Sequence, residues 1–426
     1  MKTSLHSSLK TLAALAGAAL LGSGNLQAQA WQTVDLFQLV PNLSAAATDI
    51  GIGADGTTLY SVGSSITSSA GNFAGVVRRS TDSGATWTTL DAYLDANPYW
   101  VQATYRAFGS GADGSLFVGG ELWDGGTSTT GTKTWIVRQS GNGGTTWDTV
   151  DAFYQGATAK PSCTDVKVNP YTGDVYAVGA GNTGSTTGFL WAVRKRAAGS
   201  TSFTTVDMVG APPINEARAV GFHSTAGVFV VGRMGDGTRD VWTVRRSLNG
   251  GATWTTVDTF RDSANTYSEA RGITVSSAGA IYVCGHAGQV QTVKGKKTTV
   301  NNWVVRRSLD GGTTWAVVDR FGAEPITSGP GVATATAVTL APSGSVFVSG
   351  YSPNPKRLLV RTGTTAANGA MSWVSSDDFQ LVSGQNSSSQ AITSDIFGNI
   401  FTAGQGQIDS STGLGYFMTR RLAGPQ

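Results

Sequence analysis

The sequence of 426 residues is poor in the groups that most often carry chemistry. It holds two cysteines, Cys163 and Cys284, and three histidines, His6, His223 and His286. Two thiols in separate parts of the chain give no disulfide framework, and buried free thiols are expected. The histidines show no spacing that would hold zinc or serve a serine nucleophile. Charged residues make up only 13% of the chain, and 30 Lys and Arg against 27 Asp and Glu leave no basic surplus of the kind that captures nucleic acid. The apolar run from Leu12 to Leu21 is too short to span a bilayer, and no later run reaches that length, so no membrane insertion is expected.

That short run has another reading. Lys2, His6 and Lys10 form a basic start before it, and Ala28-Gln29-Ala30 is a small-x-small cleavage site. Residues 1–30 therefore read as a secretory signal peptide, with cleavage near Ala30 and a secreted or periplasmic protein over residues 31–426. Without Lys2 and Lys10, 28 cations face 27 anions.

Glycine, at 57 residues, and the hydroxyl residues are abundant, which suits many short strands joined by tight turns. The pattern is clearest at SLDGGTTW, Ser308 to Trp315, between WVVRR and AVVDRF. β-Branched residues on both sides of an Asp-Gly-Gly stretch predict two antiparallel strands and a turn. The unit recurs. Its closing aromatic appears at Trp31, Trp87, Trp147, Phe203, Trp254, Trp315 and Trp373, at intervals of 51 to 61 residues. Four residues after each stands an aspartate: Asp35, Asp91, Asp151, Asp207, Asp258, Asp319 and Asp377. An arginine precedes the turn or occupies the matching strand position at Arg78, Arg138, Arg194, Arg245, Arg306, Arg361 and Arg420. A pair repeated this often is structural, and cross-strand ion pairs that set hairpin register are expected.

Upstream of each arginine lies a strand ending in glycine, at Gly63, Gly120, Gly179, Gly232, Gly285, Gly350 and Gly404, with one more strand before it. Four strands per repeat predict an all-β fold. The expectation is a single seven-bladed β-propeller of four-stranded antiparallel blades, over residues 31–426 and without a second domain. The chain starts on a fourth strand (Trp31 to Phe37) and stops on a third (Tyr416 to Leu422), so pairing of the N-terminal strand with the three C-terminal strands would close the ring.

STDSGATW (Ser80 to Trp87), SGNGGTTW (Ser140 to Trp147), SLNGGATW (Ser247 to Trp254) and SLDGGTTW resemble the Asp-box, or BNR, repeats of the sialidase-like propeller superfamily. That superfamily includes sialidases, sortilin-type receptors, xyloglucan-cleaving enzymes and photosystem assembly factors, so the resemblance implies a fold more than a function. Asn142 and Asn249 stand where Asp82 and Asp310 stand elsewhere, which makes the motif a turn device and not a metal site. No metal and no cofactor is expected.

Function is expected where the repeats differ, on the face opposite these turns. Aligning the units two residues before the central apolar residue of each first strand gives Thr48, Arg106, Thr164, Arg218, Arg271, Thr336 and Gln390. The three arginines, with Glu216 and Glu269 two residues before two of them, would suit a sugar acid or a peptide carboxylate. The alternative is that Glu216 with Arg218, and Glu269 with Arg271, are structural pairs. Trp100 and Trp123 lie in candidate surface loops, which include Glu121 to Lys133, Arg233 to Asp240 and His286 to Asn302.

The leading expectation is a non-catalytic recognition scaffold for a glycan or an extracytoplasmic protein, acting as a monomer. The alternative is a sialidase-like or other glycoside hydrolase with Glu216, Glu269 and Tyr267 as catalytic groups, although the Arg-Ile-Pro motif that the resemblance would call for is absent. A third reading is an assembly or structural role.

Overall fold

The computed structural model describes residues 30–69, 71–94, 102–124, 132–156, 160–181, 188–210, 214–293, 296–322, 333–352, 355–409 and 411–424. The signal-peptide segment and Trp100 lie outside the described residues. Within them the chain is all-β. Strands form five four-stranded sheets and one eight-stranded sheet, 28 strands in all. The expectation of seven separate four-stranded blades is therefore corrected. Phe73, at the start of strand Phe73–Ser80, forms a parallel bridge with Gln102 of strand Gln102–Ser110, and this joins what would be two blades into one sheet running from Ala45 to Phe153. Those two strand starts meet at one rim, where a single bridge suffices to fuse their edges.

The remaining sheets are antiparallel meanders in chain order, apart from the one that holds both ends of the chain. There Gln32–Phe37 pairs with Leu414–Leu422, beside Ile400–Asp409 and Ser387–Ser394. The innermost strands of successive sheets pack against one another. They run from Ala45–Ile52 through Gln102–Ser110, Ser162–Val168, Asn215–His223, Ser268–Val275 and Thr334–Leu340 to Ser387–Ser394, which returns to Ala45–Ile52. This is a closed propeller around a central channel.

The core lies between sheets. Trp135, Trp191, Trp242 and Trp303 are fully buried, and each ring lies against the glycine that ends the second strand of the next sheet, respectively Gly179, Gly232, Gly285 and Gly350. The four turns at residues 80–87, 140–147, 247–254 and 308–315 hold themselves. Ser80 Oγ donates to Asp82 Oδ1 (2.7 Å) and accepts from the Gly84 amide (2.9 Å), while the Thr86 amide and hydroxyl donate to Asp82. Gly84 has φ +87°, a conformation that side-chain-bearing residues resist, and the Trp87 indole N–H closes the turn on its carbonyl at 3.1 Å. The turns at Asn142 and Asn249 keep the bonds to Oδ1, and there the Asn Nδ2 donates to the Thr146 and Thr253 hydroxyls, so the carboxylate charge is not what the turn requires.

The repeated arginines and aspartates pair, but not within hairpins as expected. Each arginine reaches the aspartate on the outer strand of the preceding four-strand repeat, which for Arg138 and Asp91 belongs to the same eight-stranded sheet: Arg78 to Asp35 (2.6 Å), Arg138 to Asp91 (2.7 Å), Arg194 to Asp151 (2.6 Å) and Arg245 to Asp207 (2.8 Å). Arg306 to Asp258 (3.0 Å), Arg361 to Asp319 (2.7 Å) and Arg420 to Asp377 (2.9 Å) complete the set. In a twisted sheet the bulge between each aspartate and the residue two before it turns the carboxylate away from its own hairpin partner.

The Arg78–Asp35 pair joins the sheet that holds both chain ends to the eight-stranded sheet. Arg78→Met should lower stability by about 3–5 kcal/mol, because it leaves a buried carboxylate unpaired. Arg78→Met with Asp35→Leu should recover part of that loss in urea denaturation. A double variant no more stable than Arg78→Met alone would show that the unpaired Asp35 carboxylate is not the source of the loss.

Candidate functional site

The site begins with a backbone irregularity. Every innermost strand carries a β-bulge, and the extra residue is in turn Thr48, Arg106, Thr164, Arg218, Arg271, Thr336 and Gln390. A bulge inserts one residue that the partner strand does not match and re-aims its side chain. Here these side chains line the central channel, at a constriction between a chamber of about 380 Å³ and a smaller one of about 150 Å³.

The repeated second-strand glycines make the bulges possible. A Cβ on Gly63, Gly120, Gly179, Gly232, Gly285, Gly350 or Gly404 would lie 1.9–2.1 Å from the carbonyl oxygen two residues before the bulged residue of the same sheet. Their requirement is for space, not for an unusual φ. Three of the bulged residues also tie neighbouring innermost strands together, the first of them within the eight-stranded sheet. Thr48 Oγ1 donates to Tyr105 O (2.7 Å), Thr164 Oγ1 to Ala217 O (2.8 Å) and Thr336 Oγ1 to Ser389 O (3.0 Å).

The larger chamber lies toward the start of the inner strands. Because each third strand runs antiparallel to the second and ends at the Asp/Gly turn, this is the face opposite the turns. Arg106, Arg218 and Arg271 all line it, with Ser388, Gln390 and Gln405. Each guanidinium is held by a carboxylate. Arg106 is bidentate on Glu121, with Nε to Oε2 and Nη2 to Oε1 both at 2.7 Å. Glu121 also accepts from Lys133 Nζ at 3.0 Å and from the Ser162 hydroxyl. Arg218 donates from Nε to Glu269 (2.6 Å) and from Nη2 to Glu216 (2.9 Å), and Arg271 Nη2 meets Glu269 at 2.8 Å. Arg233 joins the same network through Glu216 (3.0 Å), Asp240 (2.9 Å) and Glu269 (3.4 Å).

The two pairs read from the sequence are thus one network across two sheets, since Arg218 binds the glutamate of the next innermost strand. Glu269 is buried. Its burial alone would raise its pKa, but Arg271, Arg218 and Arg233 hold it well below the usual carboxylate range. Burial of Glu121 is likewise outweighed by Arg106 and then by Lys133 and Ser162, which bring it to about 2. His286, opposite Glu269 in the sheet, is pushed down to about 4 by burial, and its Nδ1 has no partner. Arg106, Arg218 and Arg271 side chains remain 41%, 23% and 27% exposed, and their Nη1 atoms have no hydrogen-bond partner among the described residues.

Arg106, Arg218, Arg271, Glu216 and Glu269 are therefore brought together. Tyr267 is not part of the cluster: its half-exposed ring packs under Arg239 at 5.1 Å, while Glu269 faces the guanidiniums. Trp123 ends strand Leu116–Trp123 with its ring beneath Lys133 (5.9 Å) and its Nε1 buried, and it lines neither the axial chamber nor the side pocket described below.

Glu121, Lys133, Arg233 and Asp240 were expected in loops and instead stand on strands. Glu121 and Arg233 follow the second-strand glycine. That column reads Ser64, Glu121, Ala180, Arg233, His286, Tyr351 and Gln405 across the repeats, and its variability is the signal that could have marked them. The stretch from His286 to Asn302 is likewise part of a long hairpin, Ile281–Val293 with Lys296–Ser308, and not a loop.

No family model matches the chain, and no curated protein matches it. Among solved structures it is similar to a protein of unknown function from Dyadobacter fermentans, at 12% identity and TM-score 0.50, over 93% of this chain and 99% of that one. It is also similar to a fungal alcohol oxidase of the AA5 family in complex with copper, at 12% identity and TM-score 0.54, over 94% and 77%. A GH93 α-L-arabinofuranosidase of Fusarium graminearum in complex with arabinobiose matches at 14% identity and TM-score 0.48, over 92% and 97%. At these identities the likeness shows the propeller fold alone.

The electrostatics of Glu121 give a pH signature. Its folded pKa of about 2 lies below its ordinary 4.5, so the stability it contributes is complete above about pH 4.5 and is lost as pH falls toward 2. Glu121→Gln should cost up to about 3 kcal/mol at pH 7 and progressively less below pH 4.5. A wild-type-minus-variant difference that stays constant from pH 7 to pH 3 in denaturation would show that the charge is not responsible.

Proposed function

We propose that the channel mouth binds an acidic glycan through a sugar carboxylate. The observation that carries this reading is the convergence of Arg106, Arg218 and Arg271 on one chamber. Each is fixed by a carboxylate through other nitrogens, and each has an Nη1 with no hydrogen bond among the described residues. A guanidinium held in this way loses little side-chain entropy when it meets an anion. The amides of Gln390 and Gln405 and the hydroxyl of Ser388 line the same chamber and suit sugar hydroxyls. The Asp-box resemblance of the turns and the signal-like residues 1–30 support a scaffold exported from the cytoplasm, where such glycans would be met.

Hydrolysis of the glycan is the second reading, and one observation favours it. Glu216 and Glu269 both bind Arg218 and Arg233, so two carboxyl groups lie within one guanidinium's reach of each other, compatible with the roughly 5–10 Å separation that glycoside hydrolysis uses. In this reading Glu216 is the proton-transfer group. Glu269, held ionised by its guanidiniums, is the electrostatic partner. Tyr267 takes no part.

A glycan array followed by titration calorimetry tests the proposal. Arg271→Gln and Arg218→Gln should each weaken binding of an acidic glycan by about 10- to 100-fold, the loss expected for a charge-assisted hydrogen bond. Retention of neutral glycans only, or of none, would overturn it. Turnover of fluorogenic glycosides that disappears in Glu216→Gln would make the second reading the correct one.

A further inference from the structure

The axial chamber is not isolated. A side pocket of about 270 Å³ shares Arg106, Thr164 and Arg218 with it and adds Lys133, Lys160 and Phe189, with the carboxylates Glu121 and Glu216 also in its wall, so four cations there face two anions. Each cavity alone lies near the lower end of the roughly 300–1,000 Å³ range of small-ligand sites. The shared wall carries two guanidiniums, so Arg106 and Arg218 serve both cavities. From the architecture as described, and resting on the acidic-glycan reading above, we infer that the ligand is an acidic oligosaccharide of at least two residues, one in the axial chamber and the next in the side pocket.

The side pocket has the chemistry for a second acidic sugar. Lys133 holds one Glu121 oxygen at 3.0 Å, and its ammonium has three donors, so it can meet a second anion. Phe189 is half-buried and offers an apolar face for the C–H side of a pyranose ring. Its position is fixed by the backbone: Phe189 forms a parallel bridge with Ile214, and its carbonyl accepts from both the Asn215 amide and the Asn215 side chain, at 3.0 and 3.2 Å. The cationic groups of the two cavities thus run from Arg271 through Arg218 and Arg106 to Lys133. Arginines on three innermost strands around the channel, with Lys133 at the side pocket, fit carboxylates borne on successive sugars, where a single sugar would leave one cavity without an anion.

The test compares galacturonate, digalacturonate and trigalacturonate with uncharged maltotriose, by calorimetry on the full chain. The di- and trisaccharide should bind at least 10-fold more tightly than the monosaccharide, with no binding of maltotriose. Phe189→Ala should bring the trimer-to-monomer affinity ratio close to one. Phe189→Leu, which retains bulk without the ring, gives the same readout if the alanine variant misfolds. Equal affinity for monomer and oligomers, or a ratio unchanged in both Phe189 variants, would overturn the two-residue ligand and leave the acidic-sugar reading standing. No binding of any galacturonate, but binding of another acidic monosaccharide without gain from chain length, would likewise overturn it. Failure of every acidic sugar would overturn both.

Discussion

The structure depends on the contact between one repeat's arginine and the preceding repeat's aspartate. Sheets that pack through apolar faces have no strong preference for one relative position, because the hydrophobic effect is not directional. A bidentate guanidinium and carboxylate supply that direction. The pair is not free of cost. Burial raises the carboxyls of Asp35, Asp207, Asp258 and Asp377, with the arginines only partly offsetting it. A cation stacked on an aromatic ring recovers part of the loss: Arg78 lies 4.0 Å from the Phe37 ring, Arg194 4.3 Å from Phe153 and Arg420 3.6 Å from Phe379. Val209 holds the matching place before Arg245, which therefore has its aspartate but no ring. The value of the clamp is in fixing inter-sheet geometry, more than in net stability.

Fixed sheets make a fixed channel wall. The bulge, the glycine that leaves room for it and the tryptophan packed on that glycine form one device, repeated from sheet to sheet. The device specifies where the bulged side chain goes and is indifferent to which side chain it is. Threonine at that place ties sheets together, whereas arginine opens into the chamber. This separation lets the scaffold stay constant while the lining varies, and it explains why an exposed-sounding residue such as Arg106 sits at the axis.

Much of this was legible because repetition aligns the chain with itself. The column from Thr48 to Gln390 could be read as one register, and the structure places all of it on the channel. Pairing partners were less legible. Arg78 stands 13 residues from Asp91 on its own hairpin and 43 from Asp35, yet binds the distant one, and a sequence pattern contains both spacings at every repeat. The parallel bridge from Phe73 to Gln102 depends on where two rims meet, so no local signal announces the eight-stranded sheet. Glu121 and Arg233 were hidden by the glycine before each, which reads as a strand end although the strands continue through them. Tyr267 illustrates the reverse error, since residue type and proximity in sequence suggested a partnership with Glu269 that the side chains do not make.

The carboxylates beside the arginines do not turn the mouth into a neutral surface. The network holds five cations, Arg106, Lys133, Arg218, Arg233 and Arg271, against four carboxylates, Glu121, Glu216, Asp240 and Glu269, which leaves one positive charge in excess. Glu269 and Glu121 are also buried, at 3% and 4% exposure, whereas the arginines reach the chamber. A ligand in the axial chamber therefore meets the arginines and no carboxylate, whereas Glu121 and Glu216 share the wall of the side pocket with four cations. Bare arginines in the same positions would repel one another and disperse. Pairing keeps them converged, and the excess positive charge that remains faces the one space where an anionic ligand can enter.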